Sequence, residues 1–183
     1  MDNTTKPTSI FQPAMTYGLI LALGIILYSI VIYVLNIYTP GMGIQAIQWV
    51  IIFGLIYYGQ IKYRDDYKNG VLSYSQSLGF GVLIGLFASL IYALYFVVLV
   101  KMIDPGYIEK LLQAMEQKMY EANKISDEQI QTVMNMYKQK MTVGTMVLAS
   151  VFMMTLISFV VSLITSIFAK KVESPFSSDE MNG

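Results

Sequence analysis

The chain has 183 residues, 55% hydrophobic and only 13% charged, which leaves more apolar surface than a soluble domain of this size buries and asks for lipid. Twelve acidic and twelve basic residues cancel, so no net field draws the chain to nucleic acid. With neither cysteine nor histidine, disulfides, thiolate nucleophiles, cysteine metal sites and the commonest physiological general base are excluded.

Residues 14–36 are almost all apolar and carry no charge, and about 20 such residues suffice to cross a hydrocarbon core of roughly 30 Å. Pro13 precedes them, at a first helical turn that tolerates proline, and Asn36 to Gly43 with Pro40 reads as a turn. A second span is predicted over 44–61, the shortest of the set and the one carrying Gln45, Gln48 and Gln60. Lys62 to Lys68 follows as a membrane-surface loop of charges and tyrosines, closed by the turn dipeptide Asn69-Gly70. Ser73 and Gln76 fit a capping box that opens a third span over 75–100.

Asp104 is placed as an N-cap with Pro105 at the first helical position. Between 104 and 142 an extramembrane αα-hairpin is expected. Its first helix carries an apolar stripe of Ile108, Leu111, Leu112, Met115 and Met119. The second opens at a Ser126 to Gln129 capping box and carries Ile130, Val133, Met134, Tyr137 and Met141. The fourth span occupies 143–169, and since only Gly144 interrupts the pattern after Met141, one helix of about 40 residues, roughly 60 Å, is expected to join hairpin and span. Pro7, Pro13, Pro40, Pro105 and Pro175 all fall outside the spans, in agreement with the cost of proline inside a helix.

The fold class that follows is all-α, a single four-transmembrane-helix bundle with an extramembrane hairpin between spans three and four. The first apolar run is too long for a signal peptide, and no small-x-small site follows it at Val34 to Tyr38, so it is read as retained. The two halves differ in connection length, about eight residues against about forty, which disfavours an inverted-repeat transporter. Lys6, Lys62, Arg64, Lys68, Lys170 and Lys171 share one side of such a bundle, and Lys101, Lys110, Lys118, Lys124, Lys138 and Lys140 the other. The count ties, and the compact Lys62 to Lys68 cluster and the Lys170-Lys171 pair, close to the spans, place both termini in the cytoplasm.

Gly81, Gly85, Ser89 and Ala93 put a small residue at every fourth position of the third span, a face that lets another backbone approach. Packing against a neighbouring span is the preferred reading, with a homo-oligomer seam as the alternative. Ser158, Ser162 and Ser166 repeat the spacing on the fourth span and are read as close packing with back-bonded hydroxyls, a polar stripe for water or ions being the alternative. No acid or base lies within a span, which argues against proton relays and ion pumps, and Gln48 is read as an interhelical hydrogen-bond donor. Tyr17, Tyr38, Tyr57, Tyr58, Tyr63, Tyr67, Tyr74, Tyr107 and Trp49 are assigned to interfacial anchoring. Met134, Met136 and Met141 invite a copper(I) site, but filling of the hairpin seam accounts for the methionines better. Glu109, Glu116, Glu121, Asp127 and Glu128 alternate with lysines as a solvated face, and Asp65 and Asp66 belong to an ordinary loop. No phosphate loop, dinucleotide fingerprint or nucleophile elbow is present.

Gly70-Val71-Leu72-Ser73-Tyr74-Ser75-Gln76-Ser77-Leu78, the Ile103-Asp104-Pro105-Gly106-Tyr107 junction, Ser126-Asp127-Glu128-Gln129-Ile130 and the stretch from Ser162-Leu163-Ile164 to Lys170-Lys171, in this order and spacing, resemble a domain-of-unknown-function family of small four-span bacterial membrane proteins. The resemblance implies the four-span architecture and a bacterial inner membrane, and it carries over no catalytic, cofactor-binding or metal residue. The expected role is therefore a non-catalytic, membrane-embedded interaction or assembly protein. Its partners would be the bilayer and a second copy or a membrane protein, met through the 104–142 hairpin or the Gly81, Gly85 and Ser89 face. A subunit of a small-solute channel or transporter is the alternative.

Overall fold

The computed structural model describes residues 9–172, so Lys6, Pro7 and Pro175 lie outside the described residues. Six α-helices are found among them: α1 (Phe11–Val34), α2 (Met42–Tyr67), α3 (Tyr74–Val98), α4 (Tyr107–Ala122), α5 (Asp127–Lys140) and α6 (Val143–Ala169). A π-helical turn, Leu99–Ile103, extends α3. Four of these helices, Phe11–Val34, Met42–Tyr67, Tyr74–Ile103 and Val143–Ala169, are long and apolar enough to cross a membrane. They form the bundle, while α4 and α5 form the hairpin.

In the bundle α3 packs against α1 and α6, and α2 lies against the same two helices from the other side. α2 and α3 meet across the centre, leaving α1 and α6 at opposite corners. Burial is uneven along this arrangement. The buried positions of α1 stop at Ile25 and leave its last nine residues uncovered, those of α2 begin only at Ile52 and run to Tyr63, and those of α6 begin only at Ser158 and run to Ala169. Only α3 is buried along its whole length, from Ser77 to Phe96. The bundle is therefore tightly closed at the end that bears the α2–α3 turn and splays toward the hairpin. At the closed end Leu72 and Lys171 exchange backbone hydrogen bonds of 2.8 and 2.9 Å, and the Arg64 guanidinium donates to the Ala169 carbonyl at 3.2 Å.

Three expectations are corrected. First, Lys62 to Tyr67 continue α2 rather than forming a loop. None of these residues breaks a helix, and the chain turns only where Asn69 and Gly70 take left-handed backbone angles, φ 51° and 81°. Second, hairpin and fourth span are two helices. Thr142 takes an extended conformation and its hydroxyl accepts the Thr145 N–H at 3.2 Å, so a threonine capping box starts α6 afresh. Third, Asp104 is not an N-cap: α4 starts at Tyr107, and Gly106 holds the cap position. The Ser73 and Ser126 capping boxes form as expected, each with its glutamine reaching back to the cap N–H.

Tyr63 is another departure, because it faces the core. Its ring stacks on Phe80 with centroids 3.9 Å apart, and Tyr17 meets Phe80 edge-on. Tyr57, Tyr58, Tyr67 and Trp49 are exposed, as side chains at or near an interface would be.

Candidate functional site

Two polar clusters are built where an apolar bundle could do without them. The first is a seam among α2, α3 and α6. Gln60, fully buried, donates from Nε2 to the Ser77 carbonyl and to Ser166 Oγ, each at 3.1 Å, and so ties three helices together. Space for it comes from glycine: a Cβ on Gly81 would collide with Ser162 and the Gln60 amide, and one on Gly85 with Ser158. The two stripes singled out in the sequence thus face each other, glycines of α3 against serines of α6. Gly81 and Gly85 are buried there, and Ser89 accompanies them with its hydroxyl bonded to its own helix at Leu86.

The expected close packing of serines is present, but the expected back-bonding is not. Ser158 Oγ, Ser162 Oγ, Ser77 Oγ and Gln60 Oε1 are buried without a protein hydrogen-bond partner, while Ser166 Oγ accepts from Gln60. Nor is Gln48 the amide that joins helices. It makes no side-chain hydrogen bond, and Gln45 bonds only to the nearby Pro40 carbonyl. Its sequence signal was as strong as that of Gln60, and only the register of α2 against α3 and α6 distinguishes the two. Gln60→Leu keeps the side-chain bulk but removes both donated bonds, so a loss of about 1 kcal/mol is expected. Gln45→Leu should be nearly silent. Thermal melting of both variants in one detergent tests the difference, and equal melting would remove Gln60 from the seam.

The second cluster lies where α3 leaves the bundle. The π-turn ends with the Asp104 N–H on the Leu99 carbonyl at 2.7 Å and turns the Asp104 carboxylate, only 8% exposed, back under the hairpin. There it accepts from Lys110 Nζ at 2.7 Å, from the Gly106 N–H at 3.2 Å and from the Tyr33 hydroxyl of α1 at 3.3 Å. The Lys110 ammonium holds the carboxyl below the usual carboxylate range, and the carboxylate in turn raises the lysine. Tyr107 closes the cluster against Phe96, Tyr33 and Tyr38, with ring centroids 5.8 to 6.1 Å apart, and burial pushes its hydroxyl up to about 12. Asp104 therefore anchors the first hairpin helix to the bundle, a stronger use of its charge than capping.

Beyond that anchor the hairpin has a core of its own, Leu112, Ile130 and Met134, flanked by Ile108, Met119 and Met141. Gln131 donates to Glu116 and to the Tyr120 hydroxyl and fixes the antiparallel register. Met134 is buried in that core while Met136 is exposed, so the methionines considered for copper do not converge on one point. Glu109 and Lys138 sit beside Leu112 in the hairpin groove, and Asp65 is paired to Arg64 at 2.7 Å.

The pattern that defines the protein of unknown function family DUF4199 matches residues 16–171. The chain belongs to that family. The match runs from α1 through the hairpin to the end of α6, so both polar clusters are inside the family's domain. No curated protein and no solved structure matches the chain. An all-α bundle with four long apolar helices fits a small membrane protein family, and the family's description names no biochemical role.

Proposed function

We propose that the protein is a non-catalytic assembly module of a bacterial inner membrane, with both termini cytoplasmic and the α4–α5 hairpin on the opposite side. The observation that carries this is the anchoring of the hairpin. A helical pair with its own core is held to the bundle through the Asp104 carboxylate, which makes it a fixed arm on a membrane base. Its outer surface keeps Tyr120, Met136 and Tyr137 exposed, aromatic and methionine side chains of the kind enriched at protein contacts. The partner is a membrane protein or a second copy of the chain. The Gly81, Gly85 and Ser89 face is covered by α6 of the same chain, and the hairpin is the surface left for such a contact.

The chain has no cysteine, so single cysteines report cleanly. Lys124→Cys at the hairpin tip should react with a membrane-impermeant maleimide in intact cells. Photo-crosslinkers on Met136→Cys and Tyr137→Cys should each give one discrete adduct, and the lipid-facing Leu94→Cys none. Labelling of residue 124 only after lysis would reverse the orientation, and equal adducts from all three positions would remove the hairpin from the contact.

A second reading rests on the seam. Four buried oxygen atoms without protein partners, Gln60 Oε1 of α2, Ser77 Oγ of α3 and Ser158 and Ser162 Oγ of α6, lie in the seam among these helices, where a small polar solute would find hydrogen bonds. The variant Gln60→Leu separates the readings. A solute flux into vesicles that this substitution abolishes selects a channel or transporter subunit, and adduct formation at the hairpin that survives it selects the assembly module.

A further inference from the structure

The splayed end of the bundle carries two adjoining concavities of opposite character. Between α1 and α2 runs a groove of about 500 Å³ lined by the aliphatic Leu27, Val31, Ile32, Ile44, Ile47 and Ile51, together with Gly24 and with Tyr28, whose hydroxyl donates to the Ile44 carbonyl at 3.1 Å. Its lining on α1, Gly24 to Leu35, extends about 16 Å at the helical rise, close to half of a hydrocarbon core of roughly 30 Å. Immediately beyond it, a second pocket of about 460 Å³ is lined by Asn36, Thr39, Gln117, Lys118 and Glu121, between the α1–α2 turn and α4. The turn itself divides the two: Leu35 and Ile37 line the groove, Asn36, Tyr38 and Thr39 the polar pocket, and Ile37 belongs to both.

A one-leaflet apolar groove leading into a pocket that offers a cation, an anion and amides has the polarity profile of a lipid with its head group attached. Lys118 has no ion-pair partner among the described residues, and Glu121 accepts only from the neutral Gln117 at 2.8 Å. The pair of opposite charges, one turn apart on α4, complements a head group carrying both signs better than an anionic one. We propose that this composite site holds one glycerophospholipid of the hairpin-side leaflet with a phosphate and a terminal primary amine. An acyl chain lies between α1 and α2, the phosphate meets Lys118 and Asn36, and the ammonium meets Glu121. The proposal is independent of what the hairpin binds.

The full chain, delipidated in detergent, is titrated with phosphatidylethanolamine, phosphatidylglycerol or phosphatidylcholine, and bound lipid is counted by native mass spectrometry alongside melting temperature. One tightly retained phosphatidylethanolamine is expected, with a raised melting temperature. Ile47→Trp and Val31→Trp fill the groove from its two walls at positions 54% and 56% exposed, where the bundle tolerates bulk, and both should lose the retained lipid. Lys118→Gln should weaken retention about fivefold, the usual weight of one lysine at a membrane surface. Glu121→Gln should erase the preference for the amine head group over phosphatidylglycerol. Equal retention of all three lipids by the parent chain, or full retention by both tryptophan variants with parental melting, overturns the proposal.

Discussion

Leucine in place of Gly85 is expected to lower stability by about 3 kcal/mol, at the upper end of what overpacking costs, and thus to lower the melting temperature by on the order of 10 °C. The reason is that the obstacle is not a flexible tip. A side chain there runs into Ser158 at its β-carbon and hydroxyl, with the Ser158 backbone close behind. Relief requires α3 and α6 to move apart, which opens Gly81 against Ser162 and pulls Ser166 from Gln60 along the same seam. Gly79→Leu is the internal control. It is the same substitution in the same helix, but no atom lies within 4 Å of a Cβ at that position. If the two variants melt together in detergent, α3 and α6 do not meet through their small residues.

Asp104→Ala is expected to free the hairpin from the bundle. Its carboxylate is the common acceptor for Lys110, Tyr33 and the Gly106 N–H, so a single truncation strands a cation, a phenol and an amide together. Spin labels on Lys124→Cys and Thr39→Cys should show a narrow distance distribution in the parent and a broad one in the Asp104→Ala variant, with Asp104→Asn between them. A narrow distribution in all three would mean that the aromatic contacts of Tyr107 suffice to hold the hairpin.

The same distance measurement should depend on pH only at the extremes. Asp104 titrates below its ordinary value, so its contribution is complete above the unfolded carboxyl value near about 3.9 and is lost as pH falls through the depressed folded one. Lys110 titrates above its ordinary value, so its contribution is complete below about 10.4 and is lost as pH rises through the raised folded one. Between about pH 5 and pH 9 the anchor should not change.

Composition and hydropathy made the four spans legible, because about 20 uncharged residues have few alternative fates, and capping chemistry located the starts of α3 and α5 through Ser73 and Ser126. The small-residue stripes at Gly81 and Gly85 and at Ser158 and Ser162 were visible individually. That they face each other was not, since Gly81 meets Ser162 and Gly85 meets Ser158 across a long stretch of intervening chain and nothing local encodes the pairing. Local rules misread residues whose partners are distant. Asp104 before Pro105 looks like a cap until Tyr33 and Lys110 compete for its carboxylate, and Gln48 and Gln60 look alike until α3 and α6 surround only the second. The start of α6 failed for a smaller reason. Thr142 and Thr145 form a capping box in which threonine stands where glutamine or glutamate is usual, so the break was hidden in an otherwise continuous helical pattern.

The latch at the closed end bears on how the protein is made. Leu72 lies between the second and third helices, yet its backbone partner Lys171 follows the sixth. Arg64 likewise reaches the carbonyl of Ala169, and Gln60 waits for Ser166. During synthesis the first three apolar helices therefore emerge with an unclasped turn, a bare glycine face and an amide short of one of its two acceptors, and each is completed only when α6 follows. Biogenesis should pass through an insertion intermediate that lacks these contacts, and a chain that stops before α6 would present quality-control proteases with a polar scar in the plane of the membrane.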